Sequence, residues 1–470
     1  MASKRIIAII LVAVIAVGGG AAAWFFLLAP GAGTYKWTAS DAPGAPSTIN
    51  ASQIIRVGVI GDTERIQGEG SVNGAKLAAK EINLRGGVTV DGSVYYIGIT
   101  SENSDEANPV LDTAVAVSAA KRLINYKKVQ FATGGFRTEA GLAYQDLWME
   151  KKIIFFNTGA ATAALTGKVL SEYATYKYFF QPSPMNTTGL AIELIKLVIS
   201  TGMSQTAMIG SNVTRFSFLR EDYAWTAGFA GLMIPALTNN SVFNMTFTGA
   251  SIAFAPDATT LEMNAHWNNI ESNNTQIVIP LISGPIGLTY MTSYASIKPK
   301  CIPIGINVVA QDGNFYSDSA GAAAYGVTLE SVFETNKTSL TLPFWKHYVG
   351  NYSGVTPIYT ATGSYDAIYQ LAWALEGADT FDPDDLVTQL ETLIPGASLE
   401  GAGGNGAYDQ SHSPYYGWPY GIGLAIQWQN DTKKHLVPAP GIYPSGGPLG
   451  NALVNMTALQ LPDWGLYFYD

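Results

Sequence analysis

From residue 54 onward the chain alternates short apolar runs with amphipathic segments. The β-branched run at residues 54–60 predicts a strand buried on both faces. Apolar positions at residues 72–83 share one helical face, and Gly86 and Gly87 end that helix. The alternation continues with helices at residues 110–126 and 139–150 and strands at residues 94–100, 129–133 and 153–157. It predicts helices on both faces of a parallel sheet.

A second series of the same kind begins near residue 187. It predicts helices over 188–200, 220–232 and 259–271, and strands over 205–210, 242–247, 276–282 and 302–306. The predicted fold is therefore α/β, with two doubly wound parallel-sheet lobes and a ligand cleft at the carboxyl ends of their strands. We assign 54–182 plus 333–420 to lobe 1, 183–332 plus 421–437 to lobe 2, and 438–470 to a C-terminal extension.

The N-terminal segment has the composition of a membrane helix. Residues 6–28 carry no charge and are long enough to span a hydrocarbon core of about 30 Å. Because Lys4 and Arg5 precede them, the N-terminal end should lie in the cytoplasm. This predicts an anchor at residues 1–28, with the remainder of the chain outside the cell. A cleaved signal with a small-residue site at 21–23 is the alternative. Residues 29–53, rich in Gly, Ala, Pro, Ser and Thr, predict a flexible linker.

Composition excludes several classes of function. The chain has 470 residues, 13% of them charged, and a net charge of −10 without a basic patch, which argues against a nucleic-acid partner. Its single cysteine, Cys301, excludes an internal disulfide, and its four histidines lack metal-ligand spacing. We therefore predict no metal and no cofactor.

Asn-X-Ser/Thr sequons are frequent along the chain. On an exported protein they predict a glycoprotein of the cell surface, although a merely Asn- and Thr-rich sequence is the alternative. The ten sequons begin at Asn50, Asn186, Asn212, Asn239, Asn244, Asn273, Asn336, Asn351, Asn430 and Asn455.

Catalytic motifs are missing from the sequence. Residues 68–74 carry a GxGxxxG spacing, which differs from the GxGxxG of dinucleotide sites and lies well beyond the strand end. Neither a GxSxG elbow nor a Walker A motif occurs, and no nucleophile stands beside a base, so we predict that the protein is not an enzyme. The glycine-bearing loop is better interpreted as a wall of the cleft, with Gln67 and Gly68 near the ligand.

Two loops at strand ends have the chemistry of a ligand site. Residues 133–138 follow a strand and precede a helix, an arrangement that offers backbone N–H groups, the Thr138 hydroxyl and Arg137 to an anion such as a carboxylate. A plain helix cap with a surface arginine is the alternative. Residues 157–162 end the next strand, and their small side chains let a ligand approach the backbone.

The order of these segments resembles the type 1 periplasmic-binding-protein fold, specifically the substrate-binding proteins of branched-chain amino-acid ABC transporters. The resemblance covers about residues 54–437. NGAKLAAKEINLRGG is similar to the family's first helix, and GGFRTEA and NTGAATAALT are similar to its two lobe-1 ligand loops. Residues 406–409 and 412–414 resemble its late turn.

The resemblance implies a set of ligand-binding residues. Thr138 would hold the ligand's carboxylate, Phe216 would close the site from lobe 2, and Ser283 stands near a second lobe-2 position. Asn307 occupies the place of the family's acidic partner for an α-ammonium group, and a neutral amide pairs only weakly with a cation. An amino acid, another carboxylate, a keto acid and an amide therefore stay open. The remaining expected contacts are Gly135, Phe136, Arg137, Gly159, Ala160 and Thr162.

The resulting hypothesis is an extracytoplasmic solute-binding protein at the outer face of the cytoplasmic membrane. It would capture an amino acid or a related small carboxylate or amide and deliver it to the permease of an ABC importer. The ligand-binding ectodomain of a membrane sensor is the main alternative, and an enzyme or a structural surface protein is the third.

Overall fold

Two β-sheets organise the chain in the computed structural model, which describes residues 34–249, 252–421, 423–439, 442 and 456–464. Within these ranges no helix has the length and apolar character needed to cross a bilayer. The predicted membrane segment, residues 6–28, lies outside the described residues, and so do residues 29–33 of the predicted linker.

The first sheet forms the centre of lobe 1. Its strand order is β2-β3-β1-β4-β5-β6, parallel except for the antiparallel β2–β3 pair. The central strand, β1, is buried almost throughout because helices cover both faces of the sheet. The strands are β1 (Ile54–Gly61), β2 (Val88–Val90), β3 (Ser93–Asn103), β4 (Phe131–Gly134), β5 (Ile154–Asn157) and β6 (Phe179–Phe180).

Five helices follow these strands in lobe 1. The first ends where predicted: the N–H of Gly87, at φ +84°, donates to the carbonyl of Ile82, and that left-handed conformation favours glycine. The helices are α1 (Ile66–Leu84), α2 (Thr113–Lys121, continued by a π turn at Arg122–Tyr126), α3 (Thr138–Met149), α4 (Ala163–Ser171) and α5 (Tyr173–Tyr176).

The chain then crosses to lobe 2. This lobe contains the strands β7 (Arg215–Glu221), β8 (Thr246–Phe247), β9 (Ile252–Phe254), β10 (Ile277–Ile282), β11 (Ile302–Asn307) and β12 (Val327–Glu330). Its helices are α6 (Thr187–Ile209), α7 (Phe229–Thr238), α8 (Thr260–Ser272), α9 (Ile286–Ile297) and α10 (Phe315–Asp318).

The chain returns to lobe 1 and then completes the second sheet. The returning helices are α11 (Thr341–Asn351), α12 (Tyr359–Ala378) and α13 (Pro383–Leu390), followed by the small hairpin β13 (Leu399–Glu400) and β14 (Asn405–Gly406). Strands β15 (Leu424–Trp428) and β16 (Lys434–Leu436) then give the second sheet the order β16-β15-β12-β11-β10-β7-β8, with β9 also paired to β7. Strand β15 pairs antiparallel with both β12 and β16. Together with the antiparallel β2–β3 pair of the first sheet, this makes both sheets mixed, which corrects the prediction of parallel sheets.

The first part of lobe 2 departs most from the predicted elements. Residues 205–210 continue helix α6 to its left-handed cap at Gly210, where a strand was predicted. Residues 215–221 form strand β7, whereas a helix was predicted from residue 220. Phe216 and Phe218 are fully buried in that strand, and their period-two spacing is the signal that the helical interpretation missed.

Residues 34–53 are packed against lobe 1, which corrects the prediction of a flexible linker for this part of 29–53. Trp37 is 7% exposed, and its indole N–H donates to the carbonyl of Lys127 over 2.7 Å. The Asn83 side chain donates to the carbonyl of Pro43. One buried tryptophan supplies enough apolar area to hold a segment that is otherwise rich in small residues. The described parts of the C-terminal extension pack on lobe 2 through Ile442 and Leu459.

Candidate ligand-binding cleft

A cavity lies between the lobes, at the carboxyl ends of the central strands. Its cleft end is mostly apolar and takes wall residues from both lobes. Beyond the segments that cross between the lobes, the cavity continues to Asp366, Gln370 and Tyr408. The cleft wall includes Phe136, Arg137, Gly159 and Ala161 from lobe 1, Trp225, Ser283, Ile306 and Val308 from lobe 2, and Tyr359 at the start of α12. An enclosed apolar wall with few polar groups is the usual form of a small-molecule site.

The predicted anion loop of lobe 1 is occupied by a side chain of the protein itself. Glu106, fully buried in the connection from β3 to α2, accepts the N–H groups of Phe136 and Arg137 on its Oε2 over 2.7 and 2.8 Å. Burial raises the pKa of Glu106, and the two backbone N–H groups together with the Ser104 hydroxyl oppose that rise. Donors that the sequence offered to a ligand's carboxylate therefore bind Glu106.

Glycines let this loop and its neighbour approach each other. Gly134 and Gly135 adopt φ values of +111° and +81°, which favour glycine. A Cβ on Gly159 would lie 1.7 Å from the carbonyl oxygen of Gly135, so only glycine fits between the two loops. The sequence pattern of small residues thus reflects loop-to-loop packing as well as access for a ligand.

Lobe 2 repeats the arrangement at the end of its own central strands. Glu221, the last residue of β7, accepts the N–H and the hydroxyl of Ser283 on Oε2 and the N–H of Gly284 on Oε1, each over 2.7 Å. Burial raises the pKa of Glu221, and the bonds from Ser283 and Gly284 and the charge of Arg137 oppose the rise. Each lobe therefore presents a buried glutamate at the cleft with backbone N–H groups bound to it.

Direct contacts join the two rims of the cleft. The Gln67 side-chain amide donates to the carbonyl of Ser283 over 2.9 Å. The guanidinium of Arg137 lies 3.8 Å from the ring centroid of Tyr223, within cation–π range. The N–H of Ala224 donates to the carboxylate of Glu139. These bonds describe a closed arrangement of the lobes.

An ion pair stands where the chain crosses from lobe 2. Glu330, at the end of β12, is 2% exposed, and its Oε2 pairs with Lys434 Nζ over 2.7 Å. Burial raises the pKa of Glu330 to about 7, and the nearby Lys434 opposes that rise. The carboxylate of Asp366, farther along the cavity, accepts the N–H groups of Ala402 and Gly403. Burial raises the pKa of Asp366 to about 6.

The structure brings part of the predicted site together at the cavity wall. The wall contains Phe136, Arg137, Gly159 and Ser283. Gln67 contacts Ser283 from the facing rim, as described above. Five predicted residues lie outside the wall, in the loops and helix starts behind it: Gly68, Gly135, Thr138, Ala160 and Thr162. Thr138 is only 2% exposed, and its hydroxyl has no hydrogen bond within the described residues.

Two predicted residues lie away from the cleft. Phe216 is fully buried between the second sheet and its helices, against Phe218 and Phe247, which corrects its predicted role as the closing aromatic residue. The side chain of Asn307 turns to the carbonyl of Gly287, behind the cleft wall. Successive side chains along a strand point to opposite faces of the sheet. The resemblance did not fix the alignment to within one residue, so it could not say which face Phe216 and Asn307 would occupy.

The sequence analysis missed Glu106, Glu221, Trp225, Glu330 and Tyr359. Glu106 could have been identified from the sequence, because an acidic residue in the loop after a buried strand is placed to accept the N–H groups of the adjacent loop. Glu221 was hidden by the wrong helix prediction over residues 220–232. Trp225 follows in the turn after β7 and lines the cavity from lobe 2, the side from which Phe216 was predicted to act.

The fold is shared with solved solute-binding proteins. A putative branched-chain amino-acid ABC transporter protein from Silicibacter pomeroyi aligns with a TM-score of 0.67 at 14% identity, over 87% of this chain and 99% of that one. The substrate-binding protein LivJ from Streptococcus pneumoniae, solved with isoleucine, aligns with a TM-score of 0.62 at 15% identity, over 81% and 97%. A Rhodopseudomonas palustris solute-binding protein, solved with benzoate, aligns with a TM-score of 0.61 at 15% identity, over 80% and 93%.

At these identities the structural likeness establishes the fold. No curated protein sequence matches the chain. The model of the family described as "Periplasmic binding protein", however, matches residues 55–415, which is most of the chain. That match confirms the resemblance noted in the sequence, and the chain belongs to the periplasmic binding protein family.

Proposed function

We propose that the protein captures a small organic solute outside the cell, either an amino acid or a related carboxylate or amide, and delivers it to the permease of an ABC importer. The observation that carries this proposal is the apolar cavity enclosed between two lobes whose rims are joined by the Gln67–Ser283 and Arg137–Tyr223 contacts. Binding energy from the solute would shift the lobes toward this closed form, and the closed form would dock on the permease.

The ligands of the structural relatives support a broad solute class. Two of the three relatives named above were solved with a ligand, one with isoleucine and the other with benzoate. Both solutes combine an apolar body with a small polar group, which suits a wall built from Ile306, Val308 and Trp225. The family match favours transport over the receptor-ectodomain alternative.

The proposed contacts with the solute are Phe136, Arg137, Gly159 and Ser283 among the predicted residues, with Trp225 and Tyr359 added from the cavity wall. We also retain the proposed division into lobe 1 (54–182 plus 333–420) and lobe 2 (183–332 plus 421–437). Separate apolar cores in the two lobes support it.

Membrane anchoring and glycosylation complete the proposal. The uncharged residues 6–28 would tether the protein to the outer face of the cytoplasmic membrane. The side chain of Asn186 caps α6 and donates to Ser413, so we exclude this sequon from the proposed glycan sites. The exposed sequon asparagines, which would carry the glycans, are Asn50, Asn212, Asn239, Asn244, Asn273, Asn351 and Asn430.

A screen of amino acids, small carboxylates and amides by thermal shift and tryptophan fluorescence tests the function. A bound solute should raise the melting temperature and change the emission of Trp225, which lines the cavity. At saturating solute the substitution W225F should remove the fluorescence change, and it should reduce the thermal shift because Trp225 is one of the proposed contacts. A panel without any stabilising solute would contradict the proposal.

A further inference from the structure

Both loops that would receive an anion at the cleft already hold a carboxylate of the protein. The N–H groups of Phe136 and Arg137 bind Glu106 in lobe 1, and those of Ser283 and Gly284 bind Glu221 in lobe 2. Free carboxylates of a solute are usually held by such loop N–H groups at strand ends and helix starts. In this chain those donors are satisfied before any solute arrives.

A carboxylate placed near these loops would also meet charge of its own sign. Glu106 and Glu221 lie directly behind the loops, whereas Glu330 on the wall is paired with Lys434 and Asp366 lies at the far end of the cavity. Two carboxylates that share a poorly solvated site cannot both remain ionised without a large cost. The electrostatic environment of the cavity therefore disfavours an anionic head group.

The one arginine on the wall is already engaged by groups of the protein, and its charge acts on Glu221. Its Nε pairs with Glu139 over 3.2 Å, and its NH1 donates to the carbonyl of Asn108 over 3.0 Å. The guanidinium plane lies against the ring of Tyr223. These contacts account for the position of Arg137 without a ligand's carboxylate.

Three polar atoms of wall residues are buried and have no hydrogen-bond partner among the described residues. They are the indole N–H of Trp225, the Oε1 of Glu330 and the hydroxyl of Ser331. A buried polar atom without a partner is costly, so a solute that satisfies it gains affinity. Trp225 requires an acceptor, whereas Glu330, which already pairs with Lys434 through Oε2, requires a donor at Oε1.

We propose that the cleft selects a solute with an apolar body and a primary amide or amine head group, and disfavours the matching free carboxylate. This inference rests on the proposed solute-binding function and narrows its ligand class. The head group's N–H would donate to Glu330 Oε1, an amide oxygen would accept from Trp225, and the apolar body would lie against Ile306 and Val308.

Matched pairs of solutes test the head group while holding the body constant. Isothermal titration at pH 7 would compare benzamide with benzoate and leucinamide with leucine. The amide of each pair should bind at least about tenfold more tightly than the carboxylate. The carboxylate lacks the N–H that would donate to Glu330 and is repelled by the glutamates, and each of these differences approaches that factor. Equal or tighter binding of benzoate and leucine would overturn the head-group inference while keeping the solute-binding function. A chain that bound no member of either pair would contradict the head-group inference, whereas the solute-binding function is decided by the wider thermal-shift panel.

Two substitutions sharpen the test through the ratio of the affinities within a pair. Glu330→Gln removes the acceptor charge, so the preference for leucinamide over leucine should fall by about tenfold. Glu106→Ala frees the loop N–H groups, so benzoate binding should improve by about tenfold. If the alanine variant does not fold, the near-isosteric Glu106→Gln keeps an acceptor for these N–H groups but removes the charge, so it tests the repulsion alone and should improve benzoate binding by a smaller factor. An exposed substitution, Lys151→Ala, should leave both ratios unchanged. Ratios that stay constant in all the glutamate variants would refute the inference, because general destabilisation weakens both members of a pair.

Discussion

In each lobe a loop at the end of a central strand donates backbone N–H groups to a buried glutamate, but the two glutamates differ in their place in the chain and in how many of their oxygens are bonded. In lobe 2, Glu221 stands on the strand itself, and both of its oxygens accept bonds from the facing loop. In lobe 1, Glu106 reaches in from a connection, and only its Oε2 accepts bonds, while Oε1 has no partner within the described residues. The lobe-2 loop is therefore bound through both carboxylate oxygens of its glutamate, and the lobe-1 loop through one.

The largest difference between the lobes should be in stability. Glu221→Ala leaves three donors without their acceptor and should lower the free energy of unfolding by about 4 kcal/mol. Glu106→Ala leaves two and should cost about 2–3 kcal/mol. Urea denaturation at pH 7 measures both, with the exposed Glu150→Ala as a control expected within about 0.5 kcal/mol of the wild type. A larger loss in Glu106→Ala would reverse the proposed contrast.

The two acids on the cavity wall should differ in the pH range where they act. Because burial raises the pKa of Glu330 from 4.5 to about 7, the folded protein keeps this proton where the unfolded chain has lost it. Stability should therefore fall as the pH rises from about 4.5 to 7, by on the order of 2 kcal/mol, and Glu330→Gln should remove the fall. Burial raises the pKa of Asp366 to about 6, so the fall in stability that Asp366 causes should end about one pH unit lower. Asp366→Asn should remove that fall. Urea unfolding from pH 4 to 8 gives these slopes, and an unchanged slope in Glu330→Gln would contradict the assignment.

The cation–π contact across the cleft should contribute a smaller amount. A double-mutant cycle with Arg137→Ala and Tyr223→Ala should give a coupling of about 1.5 kcal/mol in the free energy of unfolding, since both side chains are largely buried. Lys151→Ala paired with Tyr223→Ala should give no coupling. Additive effects of the first pair would mean that the rims do not meet as the structure shows.

The smallest expected effect concerns the hydrogen bond from Gln67 to Ser283. Gln67→Ala should weaken the closed form by about 1 kcal/mol, which corresponds to about fivefold lower affinity for a bound solute. Small-angle scattering with and without solute reports the closed fraction, and titration reports the affinity. The exposed Gln410→Ala should change neither. A variant that closes and binds like the wild type would show that this bond does not hold the rims together.

Lobe 1 was far more predictable from the sequence than the start of lobe 2. In lobe 1, β-branched runs and glycine stops are local signals, and the structure reproduces them. In lobe 2, α6 runs on through residues 205–210, and an alternating aromatic strand follows in place of the predicted helix. Local preference was overridden there by burial of Phe216 and Phe218 against the sheet's own helices.

The sequence by itself determined the α/β class, the family and the loops that border the cleft, because these depend on periodicity, glycine positions and the order of segments. The tertiary structure alone decided which polar groups face the cavity. Glu106 and Glu221 take the loop N–H groups, and Trp225 stands where Phe216 was expected. The partners of Glu106 are 30 and 31 residues away along the chain, and those of Glu221 are 62 and 63, so only the packing of strands against one another brings them together.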